Sequence, residues 1–178
     1  TFVEVEGLTD VLEGAHRPGH FRGVTTVVTK LLHVVEPARA YFGRKDAQQL
    51  AVIRRLARDL RMPVDIVAMP TVREPDGLAM SSRNARLSPD ERAAARVLSK
   101  ALRTAEELFA DGERDGERLR ATMLDALGRE PLARVDYVSV ADTETLQELD
   151  SVENEALASL AVRIGEVRLI DNVTLERA

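Results

Sequence analysis

The sequence predicts an α/β protein in which a parallel βαβ segment is followed by a small α+β unit. Two observations support this prediction. Between residues 38 and 69, two short strand-like runs enclose a helical pattern, which is typical of parallel βαβ winding. After residue 88, two helical patterns are followed by three strand-like runs, which is typical of helices packed on an antiparallel sheet.

The chain before residue 71 alternates between helical and strand patterns. From Phe21 to Val35 apolar residues recur at helical spacing, and this helix ends before Pro37 because the residue preceding a proline avoids the helical region. Further elements are predicted as a strand at residues 38–42, a helix at 46–61 with Asp46 as its N-cap, and a strand at 64–69. Residues 1–6 alternate as in a short strand. A doubly wound domain needs more than these strands, so we expect the chain to lack the N-terminal half of such a domain.

The chain after residue 71 has a different pattern. Ser88 and Glu91 form a capping-box signature around Pro89, and the helix that they start is expected to run unbroken to Asp111. A second helix is predicted at residues 116–127. Strands are predicted at residues 135–140, 158–164 and 167–175, the last two joined as a hairpin at residues 165–166. We place a domain boundary near Thr71, which gives domains 1–71 and 72–178.

The composition and charge of the chain argue against some classes of function. The 178-residue chain is 44% apolar and 31% charged, so it can bury a core. Its net charge of −5 argues against binding nucleic acid, and no apolar run is long enough to span a bilayer. The chain has no cysteine and no secretory signal, which favours a reducing cytoplasm. It begins at Thr1 without methionine, and we therefore expect a fragment of a longer protein or a trimmed product.

A polar loop at residues 70–84 follows the second predicted strand of the βαβ segment. Ligands of open α/β sheets bind at the carboxyl ends of strands. The loop contains Ser81, Ser82 and Arg83, whose hydroxyls and guanidinium, with free backbone N–H groups, suit phosphate oxygens. The alternative is an ordinary surface turn, since serine, asparagine and glycine are common in turns.

A second junction of the same kind lies at residues 41–50, after the first predicted strand. Gly43 allows close approach to a ligand, the following helix N-terminus attracts negative charge, and Lys45 supplies a cation for phosphate. Asp46 is suited to ribose hydroxyls, and Gln49 lies one turn into the helix. The alternative is a capped helix with exposed Lys and Gln. Two such junctions on neighbouring strands together favour a site for a nucleoside triphosphate.

Four segments resemble the pantoate–β-alanine ligase family. They are RPGHFRGV at residues 17–24, FGRKDAQQL at 42–50, REPDGLAMSSRN at 73–84 and RLIDN at 168–172, in order along nearly the whole chain. The resemblance implies a Rossmann-like nucleotidyltransferase domain followed by a C-terminal lid that closes over it. It also implies synthesis of pantothenate from D-pantoate and β-alanine in the coenzyme A pathway, with ATP and Mg²⁺, through a pantoyl adenylate with release of AMP and pyrophosphate.

The resemblance further implies residue roles. Lys45 and Arg83 are expected to be catalytic through electrostatic stabilisation, and Gln49 is expected to bind pantoate. Val72 and Met80 are expected to pack around adenine. The full ATP-binding set implied is Gly43, Arg44, Lys45, Asp46, Val72, Met80, Ser81, Ser82 and Arg83. Attack of a carboxylate on a phosphate requires that the reactants be positioned and that the developing charge be neutralised. The roles implied for these residues meet both requirements.

The chain departs from the family pattern in places. The family's HxGH motif is absent, and Arg44 and Ala47 replace an acidic and an aromatic residue that are more usual there. His16 and His20 are four apart, but the intervening Pro-Gly argues against a helical metal pair. His33 is expected to be structural. Ser81 and Ser82 lack the surroundings of a hydrolase nucleophile.

Two function classes therefore remain open. One is the C-terminal portion of an ATP-dependent ligase, incomplete for catalysis alone. The other is a nucleotide-binding or assembly module, or another nucleotidyltransferase fragment, that acts with a separate N-terminal piece. Without such a piece, the apolar helix at residues 24–32 would be exposed. We therefore expect a homodimer or other self-association through this surface.

Overall fold

The computed structural model describes residues 1–177, which form two compact units. The first unit contains residues 1–70 and 144–146, and the second contains residues 71–143 and the described residues from 147 on. Among residues 1–177, no helix is long and apolar enough to cross a membrane. The assignment of the units to a nucleotide-binding part and a lid stays a prediction.

The first unit contains a two-stranded parallel sheet, as the sequence pattern predicted. Its elements are α1 (Glu13–His16), α2 (His20–Val35), β1 (Arg39–Gly43), α3 (Ala47–Asp59) and β2 (Asp65–Met69). Strands β1 and β2 pair in parallel, with Gly43 opposite Met69, so both carboxyl ends lie at one edge. Helix α3 buries Val52, Ile53 and Leu56 in the core of this unit.

Two predictions for this unit need correction. Residues 1–6 do not form a strand. Instead, the side chain of Thr26 accepts a hydrogen bond from the amide of Val3 (2.9 Å), which ties the segment to α2. Asp46 occupies the N-cap position of α3, but its side chain makes no capping hydrogen bond. The first turn before α3 is a 3-10 turn over Arg44–Asp46, which already orders the chain there.

The C-terminus of α3 has a residue in the left-handed conformation. Arg61 has φ 49°. The amide of Met62 donates to the carbonyl of Ala57 (2.9 Å), and the amide of Arg61 donates to that of Arg58 (3.1 Å). These two bonds define a Schellman motif, in which glycine is the usual residue at the position of Arg61.

We expect Arg61→Gly to raise the free energy of unfolding by about 0.5–1 kcal/mol, because the left-handed conformation strains a residue with a Cβ. Urea denaturation of the chain would measure the change. Arg61→Ala is the matched control, since it removes the charge and keeps the Cβ. An equal gain from Arg61→Ala would contradict the strain argument.

The second unit packs helices on an antiparallel sheet. Its elements are α4 (Pro89–Ala94), α5 (Val97–Ala110), α6 (Gly116–Gly128), β3 (Ala133–Ala141), β4 (Glu155–Ile164) and β5 (Val167–Glu176). The strand order is β3-β4-β5, with β4 and β5 joined as the predicted hairpin. The core lies between α5, α6 and the sheet and includes Leu102, Met123 and Leu160. The predicted fold class is confirmed.

The helix predicted from residue 88 to 111 is two helices. Its start is as predicted, because Ser88 and Glu91 form a reciprocal capping box. The break falls at Ala95 and Arg96. There the amide of Arg96 bonds to the carbonyl of Ala93 (3.4 Å), three residues back, and the Arg96 side chain donates to the same oxygen (3.0 Å). This tighter bonding interrupts the α-helical ladder without a proline or glycine to signal it.

Candidate nucleotide-binding site

The part of the candidate site in the first unit lies where β1 ends. The 3-10 turn Arg44–Asp46 follows Gly43 directly. Gly43 has φ −71° and ψ 136°, an extended conformation that any residue adopts. A Cβ placed there would meet no atom within 4 Å. The backbone therefore does not demand glycine, and the space beside the strand end is open, as close approach of a ligand requires.

Asp46 and Gln49 present polar groups that the fold does not use. Asp46 is exposed and Gln49 half-buried, and we find no hydrogen bond or ion pair to either side chain within residues 1–177. The two residues are three apart across the start of α3, so their side chains emerge on neighbouring positions of the helix. Lys45 beside Asp46 is half-buried, and Arg44 is exposed.

The adjacent Gln48 has a structural role that the sequence analysis missed. Its side chain is buried, with the residue 5% exposed. Its carbonyl oxygen accepts from the amide of Glu13 (2.9 Å), and its NH₂ group donates to the carbonyls of Leu8 and Val11 (2.8 Å each). Gln48 thus fastens the loop before α1 to α3. Its spacing of four from buried Val52 was the available signal.

The part of the site in the second unit begins with a short hairpin, residues 72–80 (the 72–80 hairpin). Arg73 pairs with Ala79, and the amide of Met80 donates to the carbonyl of Val72 (2.9 Å). Gly77 closes the turn with φ 93°, and its amide donates to the carbonyl of Glu74 (2.9 Å). Asparagine or glycine is favoured at such a position, so the Pro-Asp-Gly sequence accounts for the turn.

The two faces of this hairpin differ in their exposure to solvent. Ala79 is buried, whereas Val72 and Met80, which lie opposite each other, are 65% and 51% exposed. Alternation along the two arms explains why one pair is turned inward and the other outward. The structure therefore brings Val72 and Met80 together as a small exposed apolar surface, of the kind on which a planar ring can pack.

The three polar residues that follow the hairpin lie at the start of a 3-10 turn. Ser81 is the N-cap of the turn Ser82–Arg86, and its hydroxyl oxygen accepts from the amide of Arg83 (3.2 Å). Ser82 and Arg83 are both exposed, and their side chains make no hydrogen bond or ion pair within the described residues. The hydroxyl proton of Ser81, the hydroxyl of Ser82 and the guanidinium of Arg83 are therefore available as donors.

An ion pair to α4 holds the turn of the hairpin. Asp76 accepts two hydrogen bonds from the guanidinium of Arg92 in α4 (2.7 and 3.0 Å). These hydrogen bonds hold the pKa of Asp76 below its usual value. On α5, burial raises the pKa of Glu106, and the nearby Arg73 opposes this shift. The hairpin is thus surrounded by charged groups as well as packed on the core.

His16 and His20 lie on different helices. His16 ends α1 and His20 begins α2, so the expected interruption between them is confirmed. Arg17 donates to the ring of His20 (3.0 Å), and the ring of exposed His33 donates to the carbonyl of Thr29 in its own helix (2.8 Å). Over residues 1–177, no group of three or more His, Asp or Glu side chains could hold a metal ion.

Comparison with known proteins identifies the family. The family model for pantoate-beta-alanine ligase matches residues 1–174. The chain belongs to the pantoate–β-alanine ligase family. It is 63% identical over 176 residues to a pantothenate synthetase of Roseiflexus sp. strain RS-1. The crystal structure of the pantothenate synthetase from Thermus thermophilus superposes with a TM-score of 0.95 at 47% identity.

A third relative within the family was solved with small molecules bound. The pantoate-beta-alanine ligase from Francisella tularensis, complexed with beta-gamma ATP and beta-alanine, is 33% identical and has a TM-score of 0.69. The matches cover 99%, 99% and 97% of this chain, for the Roseiflexus, Thermus and Francisella proteins in turn. They cover 63%, 64% and 57% of those proteins, so the chain spans less than two thirds of its relatives' length.

Proposed function

We propose that this chain supplies nucleotide- and substrate-binding residues of an ATP-dependent ligase that joins D-pantoate to β-alanine. The observation that carries the proposal is the family match over residues 1–174. The available donors at Ser82 and Arg83 and the open strand end at Gly43 support it. The Francisella relative, whose structure includes beta-gamma ATP and beta-alanine, favours ATP and β-alanine as substrates for this chain.

The proposed reaction has two steps. A carboxylate oxygen of pantoate attacks the α-phosphorus of ATP, which forms pantoyl adenylate and expels pyrophosphate. The amine of β-alanine then attacks the acyl carbon, loses a proton, and displaces AMP to leave pantothenate. Neither step needs a protein nucleophile, so the residues act by positioning and by neutralising the charge that develops on the phosphates.

The residue roles follow from the chemistry of each side chain. Lys45 is proposed to bind phosphate with Arg83, as the two catalytic cations, and Ser81 and Ser82 donate to phosphate oxygens. Asp46 accepts from ribose hydroxyls, which its freedom from helix capping allows. Gly43 and Arg44 line the ATP site mainly through backbone, Val72 and Met80 pack on adenine, and Gln49 hydrogen-bonds pantoate.

Mg²⁺ is proposed to enter as its complex with ATP. Mg²⁺ commonly keeps several waters and is held by substrate phosphates with only one or two carboxylates. The described residues provide no cluster of three acidic side chains, and the phosphate oxygens of ATP would supply the ligands in this mode. When bound, the ion would supply charge neutralisation at the phosphates.

The experiment that tests this function uses the chain with Mg-ATP, D-pantoate and β-alanine. Pantothenate is measured by mass spectrometry, with and without the N-terminal remainder of the Roseiflexus relative added as a separate polypeptide. Pantothenate formed only by the mixture supports the ligase proposal, and pantoate-dependent exchange of labelled pyrophosphate into ATP tests the adenylate. ATP binding without any pantothenate would favour the alternative of a nucleotide-binding or assembly module.

Self-association is proposed through α2. Its exposed apolar residues are Val27, Leu31, Val34 and Val35. They recur at spacings of four, three and one, so they form one stripe along the helix, which a second copy of the chain could cover.

We expect the chain to associate in light scattering, and Leu31→Lys with Val34→Lys to shift it to monomer, because each lysine places a charge in the apolar contact. Leu124→Lys is the control, since Leu124 is an exposed leucine of α6 in the second unit. A strictly monomeric wild-type chain at high concentration would contradict the proposal.

A further inference from the structure

A buried ion pair joins the 72–80 hairpin to β5. The guanidinium of Arg73 donates to both carboxylate oxygens of Asp171, at 2.6 and 3.0 Å. The side chain of Asp171 is 0% exposed and that of Arg73 is 29% exposed. Asp171 belongs to the RLIDN segment at residues 168–172, which resembles the family but carries no role in the proposed function.

Further hydrogen bonds hold both members of this ion pair in place. The carboxylate also accepts from the amide of Asn172 (2.9 Å). The guanidinium also donates to the carbonyl of Gly77, in the hairpin's own turn (3.0 Å), and to that of Asn172 (3.3 Å). A bidentate arginine–carboxylate pair fixes orientation as well as distance, and a buried charge without its partner is costly. The Arg73 side chain is therefore held in one place by both hairpin and strand.

The same hairpin leads directly into the proposed phosphate-binding turn. The backbone of Arg73 pairs with Ala79, two residues before Ser81. The side-chain amide of Asn84, in the middle of the 3-10 turn, donates to the carbonyl of Ala79 (3.1 Å), and its backbone amide donates to the carbonyl of Ser81 (3.0 Å). Ala79 thus connects the arm fixed by Arg73 to the turn that carries Ser82 and Arg83.

We propose that Asp171 is a positioning residue that acts through Arg73 to hold the Ser81–Arg83 turn in place for binding phosphate. The positioning rests on the contacts within the second unit, and its use for ATP rests on the proposed function. Donors that are fixed before the ligand arrives bind it without a further cost of ordering the chain, so loosening the turn should weaken binding.

The test compares Asp171→Asn with Asp136→Asn in the complete chain. Asp136 provides a matched control because it forms another largely buried pair on the same sheet, with Arg168 (2.6 Å), and its ion pairs join strands of the sheet to one another. Two quantities are measured for each variant. Hydrogen exchange is followed at the amides of Met80 and Asn84, with Leu160 in β4 as the reporter of global opening, and Mg-ATP affinity is measured by calorimetry.

For Asp171→Asn we expect exchange at Met80 and Asn84 to accelerate by about tenfold or more relative to Leu160, and ATP affinity to fall by a similar factor. For Asp136→Asn we expect neither change. Unaltered exchange at Met80 and Asn84, or equal effects of the two variants, would overturn the positioning role. Faster exchange with unchanged ATP affinity would overturn its link to ATP. If the wild-type chain shows no ATP binding while exchange responds as expected, the proposed function fails and the positioning stands.

Discussion

Gln48→Ala will lower the free energy of unfolding by about 2–4 kcal/mol, because it leaves buried polar groups without partners. The side chain makes three hydrogen bonds, one from the amide of Glu13 and two to carbonyls before α1. Alanine cannot replace them, and it also leaves space between α3 and the loop. Its slightly better helix propensity offsets only a small part of this loss.

Gln49→Ala is the matched control, since it removes the same side chain from the next position of the same helix. It should change stability by less than about 0.5 kcal/mol, because we find no hydrogen bond to Gln49 within residues 1–177. Urea denaturation of both variants measures the difference. Equal losses in the two would show that the adjacent glutamines do not have the separate roles assigned to them.

Arg83→Met will weaken binding of Mg-ATP by about 10- to 100-fold, the loss expected when a charged hydrogen-bond donor to phosphate is removed. The exposed guanidinium of Arg83 has no other partner among the described residues, so methionine should leave the fold intact. The loss should come from direct contact with phosphate, rather than from destabilisation of the turn, whose backbone bonds do not involve this side chain.

Arg86→Met is the control that distinguishes a direct contact between Arg83 and phosphate from a general effect of net charge on ATP binding. Arg86 is an exposed arginine in the same 3-10 turn, so its removal changes the net charge equally. Calorimetric titration should give an affinity within about twofold of wild type for this variant. If both variants weaken binding to the same extent, the turn attracts ATP only through its overall charge, and the role of Arg83 is wrong.

Local sequence signals were sufficient for much of the fold. The capping box of Ser88 and Glu91 depends only on residues three apart, and the hairpin at Gly165 depends on one turn between two strands. The helix of residues 20–35 followed from apolar spacing, and the parallel sheet followed from the alternation of strand and helix along the chain. These features are encoded within short stretches, so they can be inferred without knowledge of the tertiary structure.

Other features depend on packing. The break between α4 and α5 occurs in an alanine-rich stretch with no proline or glycine, so no local signal marks it. Asp46 has the right residue type and position for an N-cap, but the preceding 3-10 turn leaves its side chain unused. The partner of Arg73 lies 98 residues away, and only the folded sheet brings the two together.

In the candidate site, too, some features could be predicted from local sequence and others depend on the tertiary structure. The residue types at 43–49 and 80–83 indicated phosphate chemistry, and the structure adds which donors are available. Gln48 was overlooked because adjacent glutamines differ only in the helix face that they occupy. The family match then gives these residues a common context that neither segment provides alone.

The central proposal is that the segment at residues 43–46 and the segment at residues 80–83 each contact ATP. Titration of the ¹⁵N-labelled chain with Mg-ATP tests it, with the backbone amides of both segments followed in the same spectra. We predict that both sets of signals shift with a single dissociation constant, and that Arg83→Met weakens the response at residues 43–46 as well. A response confined to one segment, or two unrelated affinities, would contradict the claim.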